Sequence, residues 1–235
     1  MMSRQEISPD RLADATVVVL DVFMATTTLL TILENGARSV YPAENLEQAE
    51  ELRQRLTNPL RGGEQDAERI DGYDFGPFPV EYSPEVVADR DVIFVTTNGT
   101  RTIAECVSAK KVIVGCLRNA PAVAHYLEAS ETGSIYLVCA GSGGRFTLED
   151  FLGASTILSY MHTEGWRLND AAWMALDLAR DYQDREMEAL KHGRAGRWFI
   201  ENDRMEELEF VGDVGASDLV PRVIDGQLRR TSDAE

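Results

Sequence analysis

Lysine occurs only at Lys110, Lys111 and Lys191, histidine only at His125, His162 and His192, and cysteine only at Cys106, Cys116 and Cys139. Each scarcity excludes something. Cysteines that are odd in number and lack CxxC spacing supply neither a disulfide framework nor a zinc knuckle, so a reducing, cytoplasmic compartment is expected. The histidines lie in helical patterns without metal-ligand spacing. No apolar run approaches the roughly 18 residues that span a bilayer, and residues 1–9 lack the apolar centre of a signal peptide, so no membrane association is expected. Cations as a whole are in deficit: 23 Lys and Arg against 40 Asp and Glu give a formal charge of −17. Such a chain repels polyanions, which excludes nucleic-acid binding driven by phosphate neutralisation.

What is present is a core-forming pattern. With 235 residues and 44% hydrophobic content, the chain suffices for one α/β domain over 1–235, or two closely packed lobes. Residues 17–20 form a short β-branched run that reads as a buried strand, followed by threonines and then a helical pattern that stops at Asn35-Gly36. Asn45 is placed to cap a helix over 46–56, and Asn119 another through Leu127. Apolar runs at 39–41, 92–95, 112–114 and 135–139 continue the alternation, and 148–161 reads as helix. The Gly62-Gly63 pair and residues 71–84 read as loop, and Asp225-Gly226 as the turn of a closing hairpin. Beyond Trp166 the pattern is mostly helical, and the acidic run 201–209 reads as a solvated face. Strand-helix alternation of this kind predicts a three-layer α/β/α sandwich with a largely parallel or mixed sheet.

Three polar motifs stand where apolar runs end: DVFMATTT at 21–28, TTNGTR at 96–101 and LED at 148–150. Hydroxyls and backbone N–H groups suit phosphate oxygens, and carboxylates suit a hard cation, so phosphoryl chemistry is the leading expectation. Asp21 is read either as a helix cap or as a group positioning metal or water; an aspartyl-phosphate mechanism lacks its second aspartate, because Phe23 stands there. Thr26 and Thr27 at a helix start read as a phosphate cradle, and Thr97 and Asn98 repeat that provision. Gly99 permits close backbone approach, while Arg101 can make two charge-assisted bonds to an anion. Glu64, Asp74 and Asp150 are candidate magnesium ligands from separate loops, with Glu149 beside them. The AGSGGR segment at 140–145 reads as an anion-binding turn; Ser142 has no visible histidine partner for nucleophilic work.

In their order and spacing, DVFMATTT, GGE at 62–64, GYDFG at 72–76, TTNGTR, LED and Val220-Pro221 resemble the 2-phosphosulfolactate phosphatase family from about Asp21 onward. The resemblance implies a three-layer α/β fold, dependence on Mg2+ and hydrolysis of 2-phosphosulfolactate to sulfolactate and phosphate, a step toward coenzyme M. Carried over by position, it implies catalytic roles for Asp21, Asn98, Arg101 and Glu149, and metal binding by Glu64 and Asp150. Thr26, Thr27 and Thr97 would meet the substrate. Met24 and Gln65 stand where the family pattern has arginines, and Pro77-Phe78 where it has Asn-Ser. Arg61, Arg118 or Arg145 is therefore expected to substitute as the cation for an anionic ester, with Arg118 and Arg145 placed at the substrate. The alternatives are an anion-binding member without turnover and a phosphatase of altered specificity. The expected partner is the small-molecule ester, with a homodimer as the default assembly.

Overall fold

The β-branched runs form strands and the amphipathic segments return the chain between them in the computed structural model, which describes residues 1–130 and 133–230. In chain order the elements are α1 (Pro9–Leu12), β1 (Ala15–Leu20), α2 (Ala25–Glu34), β2 (Ser39–Ala43), α3 (Leu46–Arg55), β3 (Leu60–Gln65), β4 (Glu68–Arg69), α4 (Pro84–Val87), β5 (Asp91–Val95) and α5 (Gly99–Glu105). They continue as β6 (Lys111–Gly115), α6 (Ala120–Ala129), β7 (Ser134–Cys139), α7 (Leu148–Ser159), α8 (Asp170–Tyr182), α9 (Glu186–His192), α10 (Arg194–Glu201), α11 (Met205–Gly212), β8 (Arg222–Ile224) and β9 (Gln227–Arg229).

One mixed sheet runs β4-β3-β5-β2-β9-β8-β6-β1-β7. It is made of two parallel triplets, β3-β5-β2 and β6-β1-β7. The β8–β9 hairpin joins them, antiparallel to both. Asp225 and Gly226 take φ of 49° and 76°, as a tight hairpin turn of two left-handed residues requires. The expected hairpin is therefore present, but it sits at the centre of the sheet rather than closing an edge. It bridges β2 only at Val40 and β6 only at Ile113, so the C-terminal ends of the two triplets are not laddered to each other.

Side-chain alternation sorts the helices into two layers, because successive strand residues face opposite sides. Val17, Val19, Val92, Phe94, Val112 and Val114 pack with Leu29, Ile32 and Leu33 of α2 and Ile103 of α5. The intervening Val18, Leu20 and Ile113 pack against Val123 and Leu127 of α6 and Ile157 of α7, while Ile93 and Val95 pack with Ala49 of α3. Helices α2 and α5 thus span both triplets on one face.

Two local expectations are corrected. Gly62 and Gly63 belong to β3, not to a loop: a Cβ on Gly62 would lie 1.9 Å from the Tyr82 hydroxyl, and one on Gly63 1.8 Å from the Val95 carbonyl. The strand contains glycines because neighbours occupy the side-chain space. Asn45 caps α3 as expected, accepting from the Gln48 N–H at 2.9 Å, whereas the Asn119 side chain does not cap α6. It accepts from Cys116 N–H and donates to the carbonyls of Val114 and Leu219, tying β6 to the segment before β8. The three cysteines are free and buried. Among the described residues no helix is long and apolar enough to cross a membrane.

Candidate active site

The three motifs meet where the unladdered strand ends face each other across the α2–α5 contact. Asp21 follows β1 and is 7% exposed. A Cβ on Gly99, the first residue of α5, would stand 2.4 Å from Ala25 Cβ and 2.7 Å from Asp21 Oδ2. Glycine is thus required by close approach, and it brings a backbone N–H to the Asp21 carboxylate. Burial and then the charges of Asp150, Glu64 and Glu149 push the Asp21 carboxyl well above its usual range, against the pull of the Gly99 hydrogen bond. Carboxylates from three distant stretches of sequence, at Asp21, Glu64 and the Glu149-Asp150 pair, therefore converge here. It does not cap α2, whose start carries no side-chain cap.

Around this centre, Glu64 and Asp150 act as brackets. Glu64 accepts from Thr97 N–H at 2.6 Å, Thr97 Oγ1 at 2.9 Å and Ala67 N–H at 2.7 Å, fastening the turn after β3 to the turn after β5. Asp150 accepts from Val22 N–H at 2.8 Å, Gly141 N–H at 2.9 Å and Thr147 Oγ1 at 2.7 Å, fastening the ends of β1 and β7 to the start of α7. Burial pushes the Asp150 carboxyl up and these three donors pull it back. Internal donors thus engage both Glu64 and Asp150, the pair expected to bind metal, and the charges of both act on Asp21. Among the described residues no group of three His, Cys, Asp or Glu side chains has metal-holding geometry.

Glu149 is the other acid beside Asp21. It is 5% exposed, and burial followed by the Asp150 charge pushes it up to about 7, with Arg194 opposing. Arg194 is a functional candidate that sequence reasoning missed. It opens α10, and a Cβ on the preceding Gly193 would lie 3.2 Å from Glu149 Oε2, so the start of α10 lies against this carboxylate. The only sequence signal is the Gly-Arg pair at a helix start.

The expected phosphate cradle at Thr26 and Thr27 is also corrected. Both residues are fully buried. Thr26 Oγ1 accepts from Asp21 N–H at 3.2 Å, and Thr27 Oγ1 donates to the Val22 carbonyl at 2.9 Å. Their hydroxyls fold the 21–25 turn onto α2, and none is left facing a ligand. Thr97 is likewise spent on Glu64 and on the Asp66 N–H.

The rim carries the donors. Asn98 Oδ1 accepts from the Gly143 N–H at 3.4 Å, which brings the Gly-rich 141–145 turn beside the 96–101 turn. Arg101 is half exposed, 3.5 Å from Glu105, and Arg145 is exposed on the 141–145 turn. Asp74 is turned away, accepting from the Arg61 N–H of β3 at 2.8 Å. Arg118, expected at the substrate, lies elsewhere, against Phe210.

Comparison with known proteins fits this arrangement. A family model described as 2-phosphosulpholactate phosphatase matches residues 1–226. A protein of Caldanaerobacter subterraneus subsp. tengcongensis named "Probable 2-phosphosulfolactate phosphatase" is 34% identical over 225 residues, 94% of this chain and 93% of that protein. Proteins of the same name from Symbiobacterium thermophilum (35% over 225 residues, 93% of this chain and 95% of that protein) and Thermotoga maritima (34% over 211 residues, 90% of each) are similarly related. Matched along almost its whole length by both the family model and these relatives, the chain belongs to the 2-phosphosulpholactate phosphatase family.

Proposed function

We propose that the protein hydrolyses 2-phosphosulfolactate to sulfolactate and phosphate, with a magnesium ion held at Asp21. Membership of a phosphatase family carries the reaction class, and the relatives' names carry the substrate. The observation behind the metal is the convergence on Asp21 of three further carboxylates. Such a centre suits a hard divalent cation, and magnesium needs only one or two carboxylates when phosphate oxygens and water complete its shell. Asp21, which has fewer internal donors than Glu64 and Asp150, would hold it. Bound there, the ion would polarise the phosphoryl group and acidify a water.

The chain's own residues supply the rest. Arg101 and Arg145 stand on the two turns that Asn98 joins, where they can grip the charged groups of an ester from either side. The Asn98 side-chain NH2, whose Oδ1 is turned to the Gly143 N–H, would donate to the developing phosphoryl charge. Glu149, with its carboxyl pushed up to about 7, is suited to take a proton from attacking water near neutral pH. Phosphate release from 2-phosphosulfolactate should require Mg2+, stop with EDTA and be lost in Asp21→Asn. Full turnover by that variant, or turnover indifferent to EDTA, would overturn the metal assignment.

One observation favours a second reading, altered specificity. Beside the site Phe23 packs on Phe199 at 4.9 Å, and Arg204 stacks on Phe78 at 3.4 Å. Met24 joins this apolar group, while Gln65 is exposed. If a less charged phosphate ester is turned over faster than phosphosulfolactate, this wall sets the substrate.

A further inference from the structure

Helix α10 forms one wall of the carboxylate centre. Its start is pressed on α7, where a Cβ on Gly193 would stand 3.2 Å from Glu149 Oε2 and 3.8 Å from Leu148 Cβ. Near its other end Phe199 is buried, and its ring lies 4.9 Å from that of Phe23 in the turn after Asp21. The helix therefore runs from Glu149 to the turn that follows Asp21, and Arg194 is its first residue.

Arg194 is exposed and makes no hydrogen bond, ion pair or ring contact with any described residue. Its charge is nevertheless felt at Glu149, whose carboxyl it pulls down. Of the main charges acting on the raised carboxyls of Asp21, Glu149 and Asp150, Arg194 is the one cation among the described residues. A guanidinium that lies beside an acid without closing an ion pair keeps its parallel N–H groups for a third group. The charge balance says which group that is. A phosphoryl group with about two negative charges must enter where four carboxyl groups meet, and a single divalent ion does not neutralise them all. A cation reaching the phosphoryl oxygens lowers that repulsion, most of all in the transition state, when charge spreads over the equatorial oxygens.

We propose that Arg194 is a further catalytic residue, its parallel N–H groups donating to the oxygens of the phosphoryl group beside Glu149, while Arg101 and Arg145 hold the other anionic groups of the ester. The assignment rests on the phosphatase reading above. Steady-state kinetics with Mg2+ on 2-phosphosulfolactate and on 2-phospholactate, which lacks the sulfonate, test it. Arg194→Gln should lower kcat by about a hundredfold or more, and by the same factor on both esters. Arg194→Lys should recover part of the loss, since a point charge replaces the fork, and neither variant should move the melting curve of the protein. Calorimetric titration with inorganic phosphate and Mg2+ is a readout free of turnover: the parent should bind phosphate about tenfold or more tightly than Arg194→Gln does. A loss of turnover confined to phosphosulfolactate would assign Arg194 to the sulfonate and overturn the proposal, as would equal phosphate affinity in the parent and Arg194→Gln. A parent that hydrolyses neither ester would refute the phosphatase reading instead, and the phosphate titration would still decide for or against Arg194.

Discussion

Replacing Gly99 by alanine should force apart the two halves of the sheet where α2 and α5 touch. The new Cβ would stand 2.4 Å from Ala25 Cβ and 2.7 Å from Asp21 Oδ2, and the first neighbour is fixed to a buried helix rather than being the end of a flexible chain. Overpacking of this kind costs about 1–3 kcal/mol. Alanine's better helix propensity returns at most about 1 kcal/mol, so the net loss should be about 1–2 kcal/mol. In a chain of this size each kcal/mol lowers Tm by roughly 2–4 °C. Activity should fall further than stability, because the carboxylate that must give way is the one at the centre of the site. The double variant Ala25→Gly/Gly99→Ala separates the two effects: it removes the Cβ–Cβ collision and should recover stability, yet leaves Oδ2 crowded and should not recover turnover. Thermal melts and phosphate release on the parent, both singles and the double form the assay. A Gly99→Ala protein with unchanged Tm and full activity would refute the reasoning, as would equal rescue of both quantities in the double.

Asp150→Ala strands three buried donors and should cost at least about 3 kcal/mol in denaturant unfolding; a loss under about 1 kcal/mol would remove its bracket role. Glu149 is raised in the folded state from 4.5 to about 7, so it contributes stability below pH 4.5 that is lost as pH rises through 7. Without divalent cations unfolding free energy should therefore fall by up to about 3 kcal/mol across that window. Glu149→Gln should reduce the slope, the raised Asp21 and Asp150 carboxyls keeping the remainder, and an unchanged slope would contradict the assignment. Arg101→Ala, at a half-exposed side chain, should leave Tm within a degree or so and lower kcat/KM by roughly tenfold to a hundredfold, the loss of one charge-assisted contact. Steady-state kinetics with unaltered kcat/KM would remove it from the site.

The alternation of strands and helices was legible because burial on two faces writes itself into the apolar spacing, as in Val17 to Leu20. Asn45 and the Asp225-Gly226 turn were legible because each acts on its own neighbours. Strand order was not, since nothing in residues 222–229 says between which strands the hairpin inserts. Gly62 and Gly63 read as loop because their reason lies in Tyr82 and Val95, far along the chain. The same limit applies at the site. Asp21 was visible from its place after a buried strand, but Thr26 and Thr27 misled because composition does not reveal where a hydroxyl points. Glu64 and Asp150 were singled out from their motifs, while their hydrogen bonds join segments 33 and 128 positions apart. Arg118 and Arg194 were misplaced and missed because an arginine's reach depends on which helix packs beside it.

The central hairpin also bears on the order of assembly. Each parallel triplet can gather its strands from residues already synthesised, but among the described residues the only ladder between them is supplied by β8 and β9, which follow every other strand in sequence. Contacts of such long sequence separation form late and slowly. A nascent polypeptide must therefore hold two half-sheets with open inner edges until Arg222 to Arg229 leaves the ribosome, and that one short segment is what seals them.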